Sequence, residues 1–167
     1  MATSPELLSF LRNTDERGSF SSPFDRDAVN RLNRSEVYFA LSSTSVVHTV
    51  RGMHYQIPPF AEAKLVYVVR GSIMDIVIDL DSSLSIDKRI HKFHLSEDVD
   101  NCLYIPRGFA HGYQTLSSDV QVMYALDGEY SKSNTRGFSP LSPLLLDMWP
   151  STPVHLKRED LLWPHLV

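Results

Sequence analysis

Residues 64–80 read KLVYVVRGSIMDIVIDL, two runs of β-branched and aromatic residues with one glycine between them. This stretch limits the fold more than any other. Such side chains crowd a helix and suit a pleated strand. In the second run Ile73, Asp75, Val77 and Asp79 share one face, while Met74, Ile76, Ile78 and Leu80 share the other. The intervening VRGS predicts a hairpin turn at Gly71. Residues 35–41 (SEVYFAL) and Val120–Leu126 (VQVMYAL) predict further strands. Helical periodicity is scarce. Its best instance is SPFDRDAVNRLN, which predicts a helix capped by Ser22 with Pro23 at the first helical position. Short strands at this spacing predict an all-β sandwich or jelly-roll barrel with a few short helices. The proline-punctuated tail, SPLSPLLLDMWPSTPVHLKREDLLWPHLV, is expected to pack over that barrel through its Trp and Leu side chains.

With 167 residues and no repeat or linker, one domain spanning 1–167 is expected. A formal charge of -4 offers no electrostatic footprint for nucleic acid or an anionic membrane. The only cysteine is Cys102, so no internal disulfide can form, and the absence of a signal peptide or an apolar span points to the cytoplasm.

Polar clusters interrupt the strands. Arg51, His54 and Lys64 make the first; PRGFAHGY, with Pro106, Gly108 and His111, makes the second; Tyr124 and Tyr130 flank ALDGE as the third. The Pro-x-Gly-x-x-His pattern resembles the second half of the cupin signature, in which a turn delivers a histidine into a barrel mouth. The metal-binding first half is missing: Gln56 stands where a second histidine belongs, and Glu62 falls too late. A metal site wants three or four such ligands, so a cupin-like jelly roll without its metal is expected, its mouth either using organic acid–base chemistry or merely binding a ligand.

ERGSF, VRGMHYQIPP, AKLVYVVRGSIMDIVIDL, YIPRGFAHGYQTLS and MYALDGEYS resemble, in order and spacing, the dTDP-4-dehydrorhamnose 3,5-epimerase family. The resemblance implies a homodimeric jelly roll that, with no metal or redox cofactor, inverts C3, C5 or both of a nucleotide-linked 4-keto-6-deoxyhexose. A proton beside the C4 ketone is acidic because the ketone accepts the electron pair, so the substrate carries its own electron sink. The family roles then map onto His54 as base, Asp160 as its carboxylate partner, Lys64 as the cation at the enolate oxygen and Tyr124 as the acid on the opposite face. Arg51, Arg17 and His111 match positions that hold sugar and diphosphate. Tyr130, Ser43, Phe20 and Gln56 complete the implied substrate contacts, and Asp75, on a strand, is expected either to orient a catalytic side chain or to contact substrate.

The chain departs from the family at Phe39 and Leu41, where polar residues are usual, at Ser22, where a glutamate is usual, and at Ala125, where a lysine often follows the tyrosine. If the face bearing Phe39 and Leu41 lined the barrel mouth, the substrate would lack a hydroxyl there. A 3,6-dideoxy-4-ketohexose on CDP, inverted at C5 alone, is the expectation that follows. Competing readings are a non-catalytic sugar-binding jelly roll and a metal-dependent cupin.

Overall fold

The computed structural model describes residues 4–81 and 83–167. In chain order the strands are β1 (Glu6–Ser9), β2 (Arg12–Asp15), β3 (Gly18–Ser21), β4 (Tyr38–Thr44), β5 (Val50–Gln56), β6 (Lys64–Arg70), β7 (Ser72–Asp79), β8 (Ile90–Ser96), β9 (Asn101–Ile105), β10 (Phe109–Thr115), β11 (Val120–Leu126) and β12 (Thr135–Gly137). Among the described residues four single-turn α-helices accompany them, α1 (Arg26–Val29), α2 (Ile86–Arg89), α3 (Pro143–Leu146) and α4 (Arg158–Leu161), with a 3-10 turn at Lys132–Asn134. Two five-stranded antiparallel sheets, β1-β9-β6-β11-β4 and β12-β5-β10-β7-β8, form the body, and β2 and β3 make a separate hairpin. This is the expected cupin-like jelly roll.

Strand alternation explains the layers. Val66 and Val68 of β6, Ile73 and Val77 of β7, Leu103 and Ile105 of β9, and Val120 and Val122 of β11 meet between the sheets. Met53, Ile76, Ile78 and Ala110 face outward on the second sheet, where the tail covers them with Leu145, Trp149 and Leu166. Leu145 is fully buried, and the Trp149 indole donates to the Pro140 carbonyl at 2.9 Å. Gln114 is buried and ties down the same tail: its Nε2 donates to the Ser151 carbonyl at 2.8 Å, and its Oε1 accepts from the Ser151 amide at 3.0 Å. The tail therefore packs as expected.

Three local expectations are corrected. Gly71 is not a hairpin turn: β6 pairs with β9 and β11, whereas β7 pairs with β8 and β10. Because β7 buries both of its faces, it needs a partner on each side and a cover above and below. Gly71, at φ 78, is the corner where the chain passes from one sheet to the other. The early helix is one turn, capped not by Ser22 but by Asp25, whose carboxylate accepts from the Ala28 amide at 2.9 Å. The strand expected over 35–41 lies at Tyr38–Thr44, because its register is set by pairing with β11 from Tyr38↔Leu126 to Thr44↔Val120. Small and polar residues at 40, 42 and 44 hid that strand from a propensity reading.

Candidate active site

The inner ends of both sheets open on a cavity of about 680 Å³. Its walls carry Arg51 and His54 from β5, Lys64 from β6, His111 and Tyr113 from β10, Tyr124 from β11, and Asp160 from α4.

Arg51 and His54 stand three residues apart, which on a regular strand would send them to opposite faces. A bulge brings both to the cavity: Tyr113 opposes Arg51 and His111 opposes His54, so Gly52 and Met53 together face Gly112 alone. Gly52 sits at φ 124, and a Cβ there would lie 2.5 Å from the Gly112 Cα. Only glycine permits both the backbone angle and the approach. The Arg-Gly-x-His spacing is thus the sequence of a bulge.

His54 Nε2 donates to Asp160 Oδ1 at 2.7 Å, linking residues far apart in the sequence. The Asp160 side chain is 5% exposed and that of His54 40%. With Nε2 protonated, Nδ1 carries the lone pair, the tautomer a base needs. The tail clamp places Asp160: α4 follows the segment whose His155 carbonyl accepts from the Val50 amide at 3.0 Å, beside β5.

Lys64 shares the inner face with Val66 and Val68, and its side chain is nearly buried. Its Nζ lies 3.2 Å from Glu62 Oε1, so the cation is held by a neighbouring carboxylate at the cavity edge. Gln56 supports that carboxylate. Its Nε2 donates to Glu62 Oε2 at 2.8 Å and to the carbonyls of Phe60 and Glu129, and its Oε1 accepts from the Ser131 amide.

His111 Nδ1 lies 3.2 Å from Asp75 Oδ2, and Asp75 is fully buried. Burial, seconded by the Lys64 charge, pulls the His111 pKa below the ordinary histidine value, and Asp75 does not overcome it. The imidazole is therefore neutral at pH 7, donating through Nδ1 and leaving an Nε2 lone pair. Tyr124 packs edge-on against it with ring centroids 6.2 Å apart. Burial first, then the neighbouring Tyr113 and Asp75, raises the Tyr124 pKa well above 10, while Arg51 pulls the other way. The phenol keeps its proton across the physiological range. Across the cavity, the Tyr113 hydroxyl bonds Ser42 Oγ of β4 at 2.9 Å.

Of the residues expected at the site, Arg51, His54, Lys64, His111, Tyr124, Tyr130 and Asp160 line this cavity, Tyr130 as an exposed rim residue. Four do not. Gln56 lies behind the wall, its amide committed to the loops it ties. Ser43 points to the exposed outer face of β4, because Ala40 and Ser42 take the cavity side by alternation. Arg17 and Phe20 belong to the β2–β3 hairpin, away from the cavity, and Arg17 is paired with Asp15. Phe39 also lies on the outer face, 66% exposed beside Phe24, and Leu41 reaches only the rim at 58% exposure. The premise for a deoxygenated CDP-linked substrate is therefore not met. Sequence reasoning missed Ser42 and Tyr113. Alternation from His111 would have found Tyr113; nothing local marks Ser42. Among the described residues, no group of three or more His, Cys, Asp or Glu side chains is arranged to hold a metal ion.

Residues 7–167 match the family described as dTDP-4-dehydrorhamnose 3,5-epimerase. The dTDP-4-dehydrorhamnose 3,5-epimerase of Sinorhizobium fredii is 32% identical over 148 residues, covering 87% of this chain and 75% of that protein. That of Shigella flexneri is 32% identical over 161 residues, covering 94% and 89%. The crystal structure of the Bacillus anthracis enzyme, with TDP and PPi bound, superposes with a TM-score of 0.89 at 32% identity, covering 98% of this chain and 95% of that one.

Proposed function

Because the chain belongs to the dTDP-4-dehydrorhamnose 3,5-epimerase family, we propose that it inverts C3, C5 or both of a dTDP-linked 4-keto-6-deoxyhexose. It is an isomerase of deoxysugar biosynthesis. The observation that carries this reading is the origin of the proton-handling groups. His54 with Asp160 stands on one sheet and Tyr124 on the other, so a sugar ring in the cavity has a base on one face and an acid on the opposite face.

In this reading His54 Nδ1 takes the proton from the carbon beside the ketone, and Asp160 stabilises the imidazolium that forms. The electron pair moves into the C4 carbonyl. Lys64, whose own side chain is nearly buried, meets the developing oxyanion, a large contribution to catalysis. Glu62 and Gln56 hold the ammonium in place. Tyr124 then delivers its proton to the opposite face, inverting the centre. Arg51, on the same wall, suits the diphosphate, and the His111 Nε2 lone pair suits a sugar hydroxyl.

The homodimer belongs to the same proposal. Phe39 and Leu41 on β4, and Leu11 and Phe20 at the β2–β3 hairpin, are large apolar side chains exposed by 58% or more. A second copy would cover them. It would also account for Arg17 and Phe20, which stand outside their own cavity but on a projecting hairpin able to reach a partner's. A reducing, cytoplasmic setting fits the single buried thiol of Cys102, whose pKa burial pushes up to about 12.

The test is incubation in deuterated water with dTDP-, CDP- and GDP-linked 4-keto-6-deoxyhexoses, followed by NMR. Deuterium at C3 or C5 together with inversion on the dTDP sugar is expected. Absence of exchange on every sugar would leave a binding protein instead.

A further inference from the structure

The strand registers set an order along the cavity. On the first sheet Lys64 opposes Leu126, Ala40 opposes Tyr124 and Ser42 opposes Val122, at intervals of two residues along β11. On the second sheet His54 opposes His111, and Tyr113, two residues further on, opposes Arg51. Side chains two apart on a strand share a face, and all of these except Val122 line the cavity. The Tyr113 hydroxyl and Ser42 Oγ, 2.9 Å apart, join the matching ends of the two sheets. The cavity therefore runs from Lys64, past Tyr124, to Ser42, Tyr113 and Arg51.

Two hydroxyls thus stand together at the Arg51 end. A hydroxyl donates once and accepts through its lone pairs. A single bond between two of them leaves one O–H and an unused lone pair for a third group. Ser42 is part-buried at the cavity surface, and among the described residues that β4 lends to the cavity it alone is polar, beside Ala40 and Leu41.

In a hexose, C1 and C4 lie across the ring from one another. With the C4 ketone at Lys64 and the C1 diphosphate at Arg51, C3 and C5 fall at the level of Tyr124. C2 and the ring oxygen then fall beside Ser42 and Tyr113. Of those two positions only C2 bears a hydroxyl, which both donates and accepts as the pair requires. We propose that Ser42 and Tyr113 bind the C2 hydroxyl of the hexose and select 2-hydroxy over 2-deoxy sugars. A 2-deoxy sugar leaves the remaining O–H of the pair without its partner, which is how a site built for a hydroxyl rejects an analogue lacking it. The proposal rests on the function reading, with Lys64 at the C4 oxygen and Arg51 at the diphosphate.

The test measures inversion kinetics on a dTDP-linked 4-keto-6-deoxyhexose and on its 2-deoxy counterpart, using wild type, Ser42→Ala and Tyr113→Phe, each verified as folded by circular dichroism. Wild type is expected to favour the 2-hydroxy sugar about tenfold in kcat/KM, the order of one hydrogen bond. Each variant should lose about tenfold on the 2-hydroxy sugar, chiefly through KM because the bond is made before the reaction, and no more than about twofold on the 2-deoxy sugar. A bond that merely braced the two sheets would cost both sugars alike, and that result overturns the assignment. Should Tyr113→Phe fail to fold, Ser42→Ala, on the edge strand β4, decides alone. If wild type inverts both sugars with equal kcat/KM, only the hydroxyl assignment fails; if it inverts neither, the function reading fails and takes the proposal with it.

Discussion

Replacing Asp160 with asparagine tests the base most directly, because it changes charge while keeping shape. Asp160 is buried and bonds His54 Nε2 at 2.7 Å, in the range of charge-assisted hydrogen bonds. A hydrogen bond to a charged group contributes roughly 1.5–3 kcal/mol. In the transition state the imidazole becomes a cation, so this is the stabilisation the neutral amide forfeits. The His54 side chain is 40% exposed, and water screens part of the interaction, which favours about 2 kcal/mol. At about 1.4 kcal/mol per factor of ten, kcat should fall about thirtyfold. If the amide turns its NH₂ toward Nε2, the ring adopts the opposite tautomer and presents N–H to the substrate, and the loss grows toward the ~10⁴-fold seen for a wrong tautomer. The assay is paired: steady-state inversion, and deuterium wash-in at C3 and C5 by NMR. Both should fall together, since both begin with proton removal by His54. A folded Asp160→Asn protein with kcat within about threefold of wild type would falsify the reasoning.

Tyr124→Phe should separate exchange from inversion: His54 can still remove a proton and return it to the same face, so deuterium wash-in persists while inverted product fails to accumulate, and parallel loss of both would reduce Tyr124 to a shaping role. Gly52→Ala should lose roughly 1–3 kcal/mol in urea unfolding, because its Cβ would lie 2.5 Å from the Gly112 Cα at a φ of 124; unchanged stability would mean the bulge is not held by this contact. The His111 pKa is lowered on folding, so the unfolded chain binds the extra proton first. Stability from this group is present above the ordinary histidine pKa, about 6.5, and is lost as pH falls through the lower folded value. The urea midpoint should therefore drop from pH 7.5 to 5, and drop less in His111→Asn, where Asp75, Lys64 and the titratable His54 remain as neighbours; equal slopes would refute this origin.

The sequence by itself determined the class of fold and most of the chemistry. Alternation in SIMDIVIDL placed Ile73, Asp75 and Val77 on one face and Ile76 and Ile78 on the other, and those faces are the barrel interior and the surface beneath the tail. Period-2 side-chain geometry is local, so it is legible wherever a strand is regular. The same rule puts Lys64 beside Val66 and Val68. Partnership between strands is not local, and there the reading failed: Gly71 read as a hairpin turn because two strands flank it, but which sheet each joins depends on cover from the distant tail. The β4 boundary moved for the same reason, its register being set by β11. At the site, the residue types at 54, 64, 111 and 124 were visible one by one, whereas their arrangement required the β5 bulge and the tail path that brings Asp160 to His54. Gln56, Ser43, Arg17 and Phe20 show the limit most plainly. A residue's type and position along the chain are fixed locally, but whether its side chain faces the cavity, a loop or solvent is decided by packing between segments far apart in sequence.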